Sequence, residues 1–194
     1  MDRSIVEWVP AIALAIALAA TAGIRAWLPL LLAGLLMRGG FLELGASFAF
    51  LASTRALVVL AVASVLEILG DKIPAVDHAL DTLGTPLKLA AGALLAAAAF
   101  GTVSDPLTAT LLGVAVGAPT ALVPHAAKSL LRVASTAVTG GLANPVLSFL
   151  EDALTVAVFA LAVLVPIAVA GFVLLAVALL AKRRPPRHET MSAA

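Results

Sequence analysis

The sequence predicts an all-α polytopic membrane bundle of about six spans, each needing about 20 apolar residues. Three observations carry that prediction. Of 194 residues, 62% are hydrophobic and 12% charged, with mean hydropathy +1.14. A soluble domain carries about 25% charge, so this chain has too little polar surface to coat a water-facing globule. The charges also cluster, leaving uncharged stretches at 8–24, 56–66, 89–104, 106–124, 133–150 and 153–181. Within these stretches the apolar residues show no period of two. Runs such as Leu94 to Phe100 favour helices over the alternating strands of an outer-membrane barrel.

The first stretch opens on Ser4 and Glu7, spaced as a capping box. Trp8 and Trp27 follow 19 residues apart, about 28 Å along a helix, and suit the two membrane interfaces. Apolar residues then continue to Met37. Either residues 8–37 form one long tilted helix, or the helix breaks between Gly23 and Pro29 and residues 26–37 are re-entrant. The run ending Ala19-Ala20-Thr21-Ala22-Gly23 resembles a signal-peptide end, but the region before it is not clearly basic and the apolar pattern resumes at once, so no cleavage is expected.

Later helix starts are read at Thr85-Pro86, Asp105-Pro106 and Asn144-Pro145, each a capping residue before a proline, with a further capping box at Ser148 and Glu151. Gly39-Gly40, Gly70, Gly101 and Gly140-Gly141 mark helix ends. The fifth stretch contains Gly140, Gly141, Asn144 and Pro145, and the last contains Pro166. Breaks of this kind in lipid need a protein or water-filled interior to satisfy the freed backbone, so residues 124–145 are a second re-entrant candidate. Gly113 and Gly117 form a GxxxG, read as close packing within the bundle. Residues 1–181 are read as one integral membrane domain and 182–194 as a polar tail. The glycine pairs suggest an inverted three-plus-three repeat with halves 1–101 and 105–181, although the second half has no counterpart of Glu67.

Six crossings place Arg3, Lys72, Lys88, Lys128, Arg132 and the tail cations Lys182, Arg183, Arg184 and Arg187 on one side, against Arg38 and Arg55 on the other. The positive-inside rule then puts both termini in the cytoplasm. A formal net charge of +1, with no basic stripe outside the tail, excludes nucleic acid as a partner. Absence of cysteine removes disulfides, thiolate metal sites and a cysteine nucleophile. GxSxG, HExxH, the P-loop and the dinucleotide fingerprint are all missing, so neither catalysis nor a cofactor or metal is expected. Membrane lipids are the expected partners, with pairing to a second copy open.

Ionisable residues at lipid depth are the functional candidates. The densest group runs from Glu67 through Asp71, Lys72, Asp77, His78 and Asp81 to Lys88. Glu67 and Asp71 are four residues apart, as are Asp77 and Asp81, so each pair shares a helix face. These four acids are candidate coupling or ion-binding groups; the alternative is a solvated loop, least apt for Glu67 inside the second apolar stretch. Arg25 is either an anion contact or Glu67 partner, or an arginine snorkelling beside Trp27. His125, Lys128 and Arg132 fall on one helical stripe suited to a phosphate or carboxylate, or serve as positive-inside anchors. Asn144 is read as a cap or as part of a substrate-lining break, while capping accounts for Ser148, Glu151 and Asp152.

Three groups of residues together resemble a bacterial membrane family, domain of unknown function 4126: Gly23-Ile-Arg25-Ala-Trp-Leu-Pro29-Leu-Leu, then Glu67 through Asp81 with Asp71-Lys72-Ile-Pro74 and Thr85-Pro86-Leu-Lys88, then Lys128, Arg132, Gly140-Gly141, Asn144-Pro145 and Ser148 to Asp152. The resemblance spans about residues 10–181. It implies a multi-span protein of the bacterial inner membrane and supplies no reaction or substrate. The ionisable groups at the edges of otherwise charge-free spans make the expected function a small secondary transporter or translocator of an anionic solute or lipid headgroup. Arg25, Lys128, Arg132 and Asn144 would contact the substrate, and Glu67, Asp71, Asp77 and Asp81 would couple or balance charge. A channel or ion-binding protein, and a non-transporting accessory protein, are the alternatives.

Overall fold

The computed structural model describes the backbone of residues 3–72 and 74–182 and the side chains of residues 7–72 and 84–165. All described elements are helical: α1 (Arg3–Ile24), α2 (Trp27–Arg38), a 3-10 helix (Ala46–Ala52), α3 (Thr54–Gly70), α4 (Pro74–Phe100), α5 (Pro106–Leu112), a π-helical turn (Gly113–Gly117), α6 (Ala118–Thr139) and α7 (Asn144–Lys182). Three apolar stretches are long enough to cross a membrane, Glu7–Ile24, Pro106–Thr139 and Asn144–Val165; a fourth forms if the 3-10 helix and α3, bent by 61°, count as one span. The helices Trp27–Arg38 and Gly84–Phe100 are apolar but shorter. This is the build of a membrane protein. Its exposed residues agree, since Val58, Val59, Val62, Val65 and Leu66 of α3 and Leu130, Leu131, Val133 and Val138 of α6 turn broad apolar faces outward.

The chain runs back and forth between two ends of the bundle. At one end, the start of α1 meets the finish of α4, with the Trp8 and Phe100 ring centroids 6.3 Å apart. The segment after α2 returns there: Phe41, Leu42 and Glu43 share a pocket with Glu7, Ala11, Thr102 and Val163. Gly45 N–H also donates to Ala98 O, at 2.8 Å. Residues 8–37 are therefore two helices folded back at Arg25 and Ala26, not one tilted helix. The stretch 133–150 is likewise no single span, because α6 and α7 form a hairpin about residues 140–143. The fold-back, one of the two arrangements expected for 8–37, and the hairpin, which replaces an expected span, together change the sidedness. Arg38 and Arg55 lie at the end where α1 starts, while Asp71, Lys128 and Arg132 meet at the opposite end.

Punctuation held where a cap had a free turn to close. Asp105 accepts from the N–H groups of Leu107 and Thr108, both at 3.1 Å, and α7 starts at Asn144 before Pro145. Gly140 and Gly141 end α6 with φ of +62° and +89°, a region that L side chains rarely adopt. Thr85-Pro86 does not start a helix. Pro86 lies inside α4, and Thr85 turns to His125 instead. The last helix continues from Asn144 to Lys182 through Pro166. Four α-helices precede residues 101–105 and three follow, two of them joined by the π turn, so the elements do not divide into two sets of three.

Packing between helices relies on small residues. A Cβ at Gly117 would lie 2.4 Å from Gly92 O, and one at Gly113 would lie 2.5 Å from Ala93 O. The GxxxG thus brings the π turn against α4 at backbone contact. Gly23 does the same between α1 and α6, where a Cβ would stand 2.1 Å from Ala121 O. That approach sets Arg25 beside the basic stripe of α6.

Candidate functional site

Arg25 occupies the fold-back between α1 and α2 and is fully buried. A helix that restarts inside a bundle leaves N–H groups without intrahelical partners. Ala26, at the start of α2, has no capping side chain. Glu67 of α3 supplies the cap: Oε1 accepts from Ala26 N–H at 2.9 Å and Oε2 from Trp27 N–H at 3.1 Å. Pro29 has no N–H to satisfy and fits the first turn. Glu67 therefore holds the break in which Arg25 sits.

Asp71 follows the last turn of α3, 6% exposed. Its Oδ2 receives three cations: Arg25 Nη1, Lys128 Nζ at 3.1 Å and Arg132 Nη2 at 3.2 Å. Lys128 and Arg132 come from the α6 stripe and are 5% and 4% exposed. The first turns of α7 complete the cluster. Arg25 Nη2 donates to Ser148 Oγ at 3.0 Å and makes an ion contact of 2.7 Å with Asp152 Oδ1. Glu151 takes Arg132 in a two-point grip, Nε to Oε1 at 3.2 Å and Nη2 to Oε2 at 3.0 Å, and its Oε2 also lies 3.0 Å from Lys128 Nζ. Three buried cations and three carboxylates are thus gathered from the fold-back, the end of α3, α6 and α7, and the partly exposed Lys72 joins at the edge, 3.6 Å from Asp152 Oδ2. Buried charge survives at this depth only when matched in this way.

A second polar group adjoins the stripe one turn earlier. His125 is 5% exposed and Lys88 of α4 is 4% exposed. Lys88 Nζ lies 3.3 Å from His125 Nδ1, and Thr85 Oγ1 lies 2.8 Å from Nε2. An ammonium only donates, so Nδ1 accepts and Nε2 carries the proton toward Thr85.

The structure thus brings together Arg25, Lys128, Arg132 and Asp71 from the sequence candidates. Glu67 stands beside them as a helix cap. Asn144 lies in the α6–α7 hairpin, where Nδ2 donates to Thr136 Oγ1 at 3.1 Å, and no described contact joins it to the cluster. The side chains of Asp77 and Asp81 lie outside the described residues. Ser148, Glu151 and Asp152 are the members that sequence reasoning assigned to capping. Among the described residues no group of three or more His, Asp or Glu is arranged to hold a metal.

A helical bundle with membrane-length apolar helices and a balanced ion cluster at a helix break is an integral membrane protein with a polar interior site. The chain belongs to the family described as domain of unknown function, DUF4126, which matches residues 12–184. No curated protein and no solved structure matches it.

Proposed function

We propose that the protein is a small secondary transporter or translocator of an anionic solute or lipid headgroup in the bacterial inner membrane. The observation that carries this reading is the convergence of Arg25, Lys128 and Arg132 on one oxygen of Asp71. Three buried cations around one carboxylate oxygen make an anion site already filled by an internal anion. A substrate phosphate or carboxylate would replace Asp71 on the same donors. A substrate anion on those donors would release Asp71 to take up a proton, the role of a coupling acid. Glu151 and Asp152 keep the cations partly balanced in either state, limiting the desolvation cost of the exchange. Glu67 contributes by holding the fold-back rather than by carrying charge.

A second reading rests on the same balance of three against three. A fully matched cluster locks the fold-back of α1 and α2 to α3, α6 and α7 and serves a non-transporting accessory protein. Proteoliposomes separate the two. Flux of labelled phosphate, labelled succinate and a fluorescent short-chain phosphatidylglycerol is compared for wild type, Arg25→Gln and the charge-balanced double variant Arg25→Gln with Asp71→Asn. Transport predicts flux of one probe in wild type and background flux in both variants, with the double variant folded. Absence of flux for all three probes, or full flux in the double variant, refutes it.

A further inference from the structure

Asp71 offers its three cations one charge and one oxygen. Arg25 Nη1, Lys128 Nζ and Arg132 Nη2 all meet Oδ2, and among the described residues no donor reaches Oδ1. The other charged groups around it are engaged on every side. On α3, Glu67 is held by the N–H groups of Ala26 and Trp27. On α6 and α4, His125 and Lys88 meet each other one turn before Lys128. On α7, Glu151 and Asp152 each hold cations through both oxygens: Glu151 has Arg132 Nε on Oε1 as well as Lys128 and Arg132 Nη2 on Oε2, and Asp152 has Arg25 on Oδ1 and Lys72 near Oδ2. Asp71 is therefore the acid left bare when another anion takes the atoms that Oδ2 now holds.

We propose that the site takes a monovalent oxyanion, a carboxylate or a phosphodiester, together with one proton that ends on Asp71, an inference that rests on the transport reading and names its substrate class and stoichiometry. Asp71, Arg25, Lys128 and Arg132 are all buried. A carboxylate at that depth with no cation on either oxygen is too costly to keep its charge, so it takes up a proton. Atoms and charge balance: the anion accepts the three N–H donors, a proton forms an O–H bond on Asp71, and the protonated acid of the substrate can bring both. One negative charge arrives and one is cancelled, so the charge of the buried cluster is the same before and after, whatever its total. A divalent anion on the same donors leaves an extra buried charge that nothing matches. Carboxylates and phosphodiesters spread one charge over two terminal oxygens, as Asp71 itself does, and that is the shape the donors already hold.

The test uses full-length wild type in proteoliposomes with a pH dye in the lumen and valinomycin to set the membrane potential. Labelled lactate and a fluorescent short-chain phosphatidylglycerol are the monovalent probes, which separate a free carboxylate from a lipid headgroup, and labelled succinate above neutral pH is the divalent one. Flux of one monovalent probe is expected, at least about tenfold faster than succinate, with one proton entering the lumen per anion. Its final distribution should not respond to a potential of about 100 mV, which would shift an uncoupled monovalent anion by about 50-fold. Asp71→Asn should still exchange labelled for unlabelled anion while the lumen pH stays flat; if it does not fold, Asp71→Ser takes its place. Succinate as fast as the monovalent probes, a voltage-dependent distribution, a proton count other than one, or acidification retained without the Asp71 carboxylate overturns this inference and leaves transport standing. Background flux for every probe removes the transport reading and this inference with it.

Discussion

Glu67 lies on α3 and Asp71 four residues on, just past its end, yet their carboxylates face different partners and removal of each has a different consequence. Glu67 accepts two backbone N–H groups at the start of α2. Glu67→Ala should lower stability by about 1–2 kcal/mol, the range for a lost helix cap. Glu67→Gln, which keeps one acceptor oxygen, should lose less. Thermal unfolding in detergent checks both, and equal stability of all three proteins would deny the cap. Asp71→Asn leaves three cations around a neutral amide and should cost more, on the order of 3–5 kcal/mol. Arg25, Asp71, Lys128 and Arg132 were legible in the sequence because charge stands out against apolar neighbours. Their partners were not. Glu151 lies 19 residues beyond Arg132, across a hairpin, and Ser148 lies 123 residues beyond Arg25. Its three-residue spacing to Glu151 has a local explanation in capping. Glu67 stood out as costly, but its role depends on N–H groups about forty residues earlier, exposed only once the first helix breaks.

At the scale of elements, glycine serves two distinct ends. Gly117 permits backbone contact between the π turn and α4, and a methyl there meets Gly92 O. Gly140 has nothing within 4 Å of an added Cβ and is required only by its φ of +62°. Gly117→Ala should therefore force the helices apart, at a cost of about 1–3 kcal/mol or more, whereas Gly140→Ala should cost only the roughly 1–2 kcal/mol of a left-handed L-residue. Thermal unfolding of the two variants distinguishes them; a larger loss at Gly140 would contradict the packing described. Gly101 and Gly140 ended helices as expected, because a local stop signal needs only its own turn. Thr85-Pro86 failed as a start because the bundle supplies His125 to Thr85 and the helix runs on through the proline. Hydropathy marked the apolar segments but not which of them folds back, since that depends on Glu67 being at hand.

For the whole molecule, the fold separates two populations of charge. At the end where α1 starts lie Arg38 and Arg55, while Arg25, Lys128 and Arg132 at the other end are engaged with carboxylates. The chain has no cysteine, so single cysteines report the topology directly. In intact cells an impermeant thiol reagent should label either Leu142→Cys, in the exposed α6–α7 turn, or both Glu43→Cys and Ser104→Cys, but not all three. Labelling of all three from one side would contradict the back-and-forth path. If Asp71 fills an anion site as proposed, removing its charge should open that site to a free anion. This is tested by unfolding in detergent with phosphate against chloride of equal ionic strength. Ligand binding to the folded state raises its stability, so Asp71→Asn should gain thermal stability with phosphate while wild type stays nearly flat. The corresponding affinity should be at least about tenfold tighter than wild type, or about 1.4 kcal/mol, and the gain should vanish when Arg25→Gln is added. A phosphate response in Asp71→Asn no greater than in wild type would contradict the account.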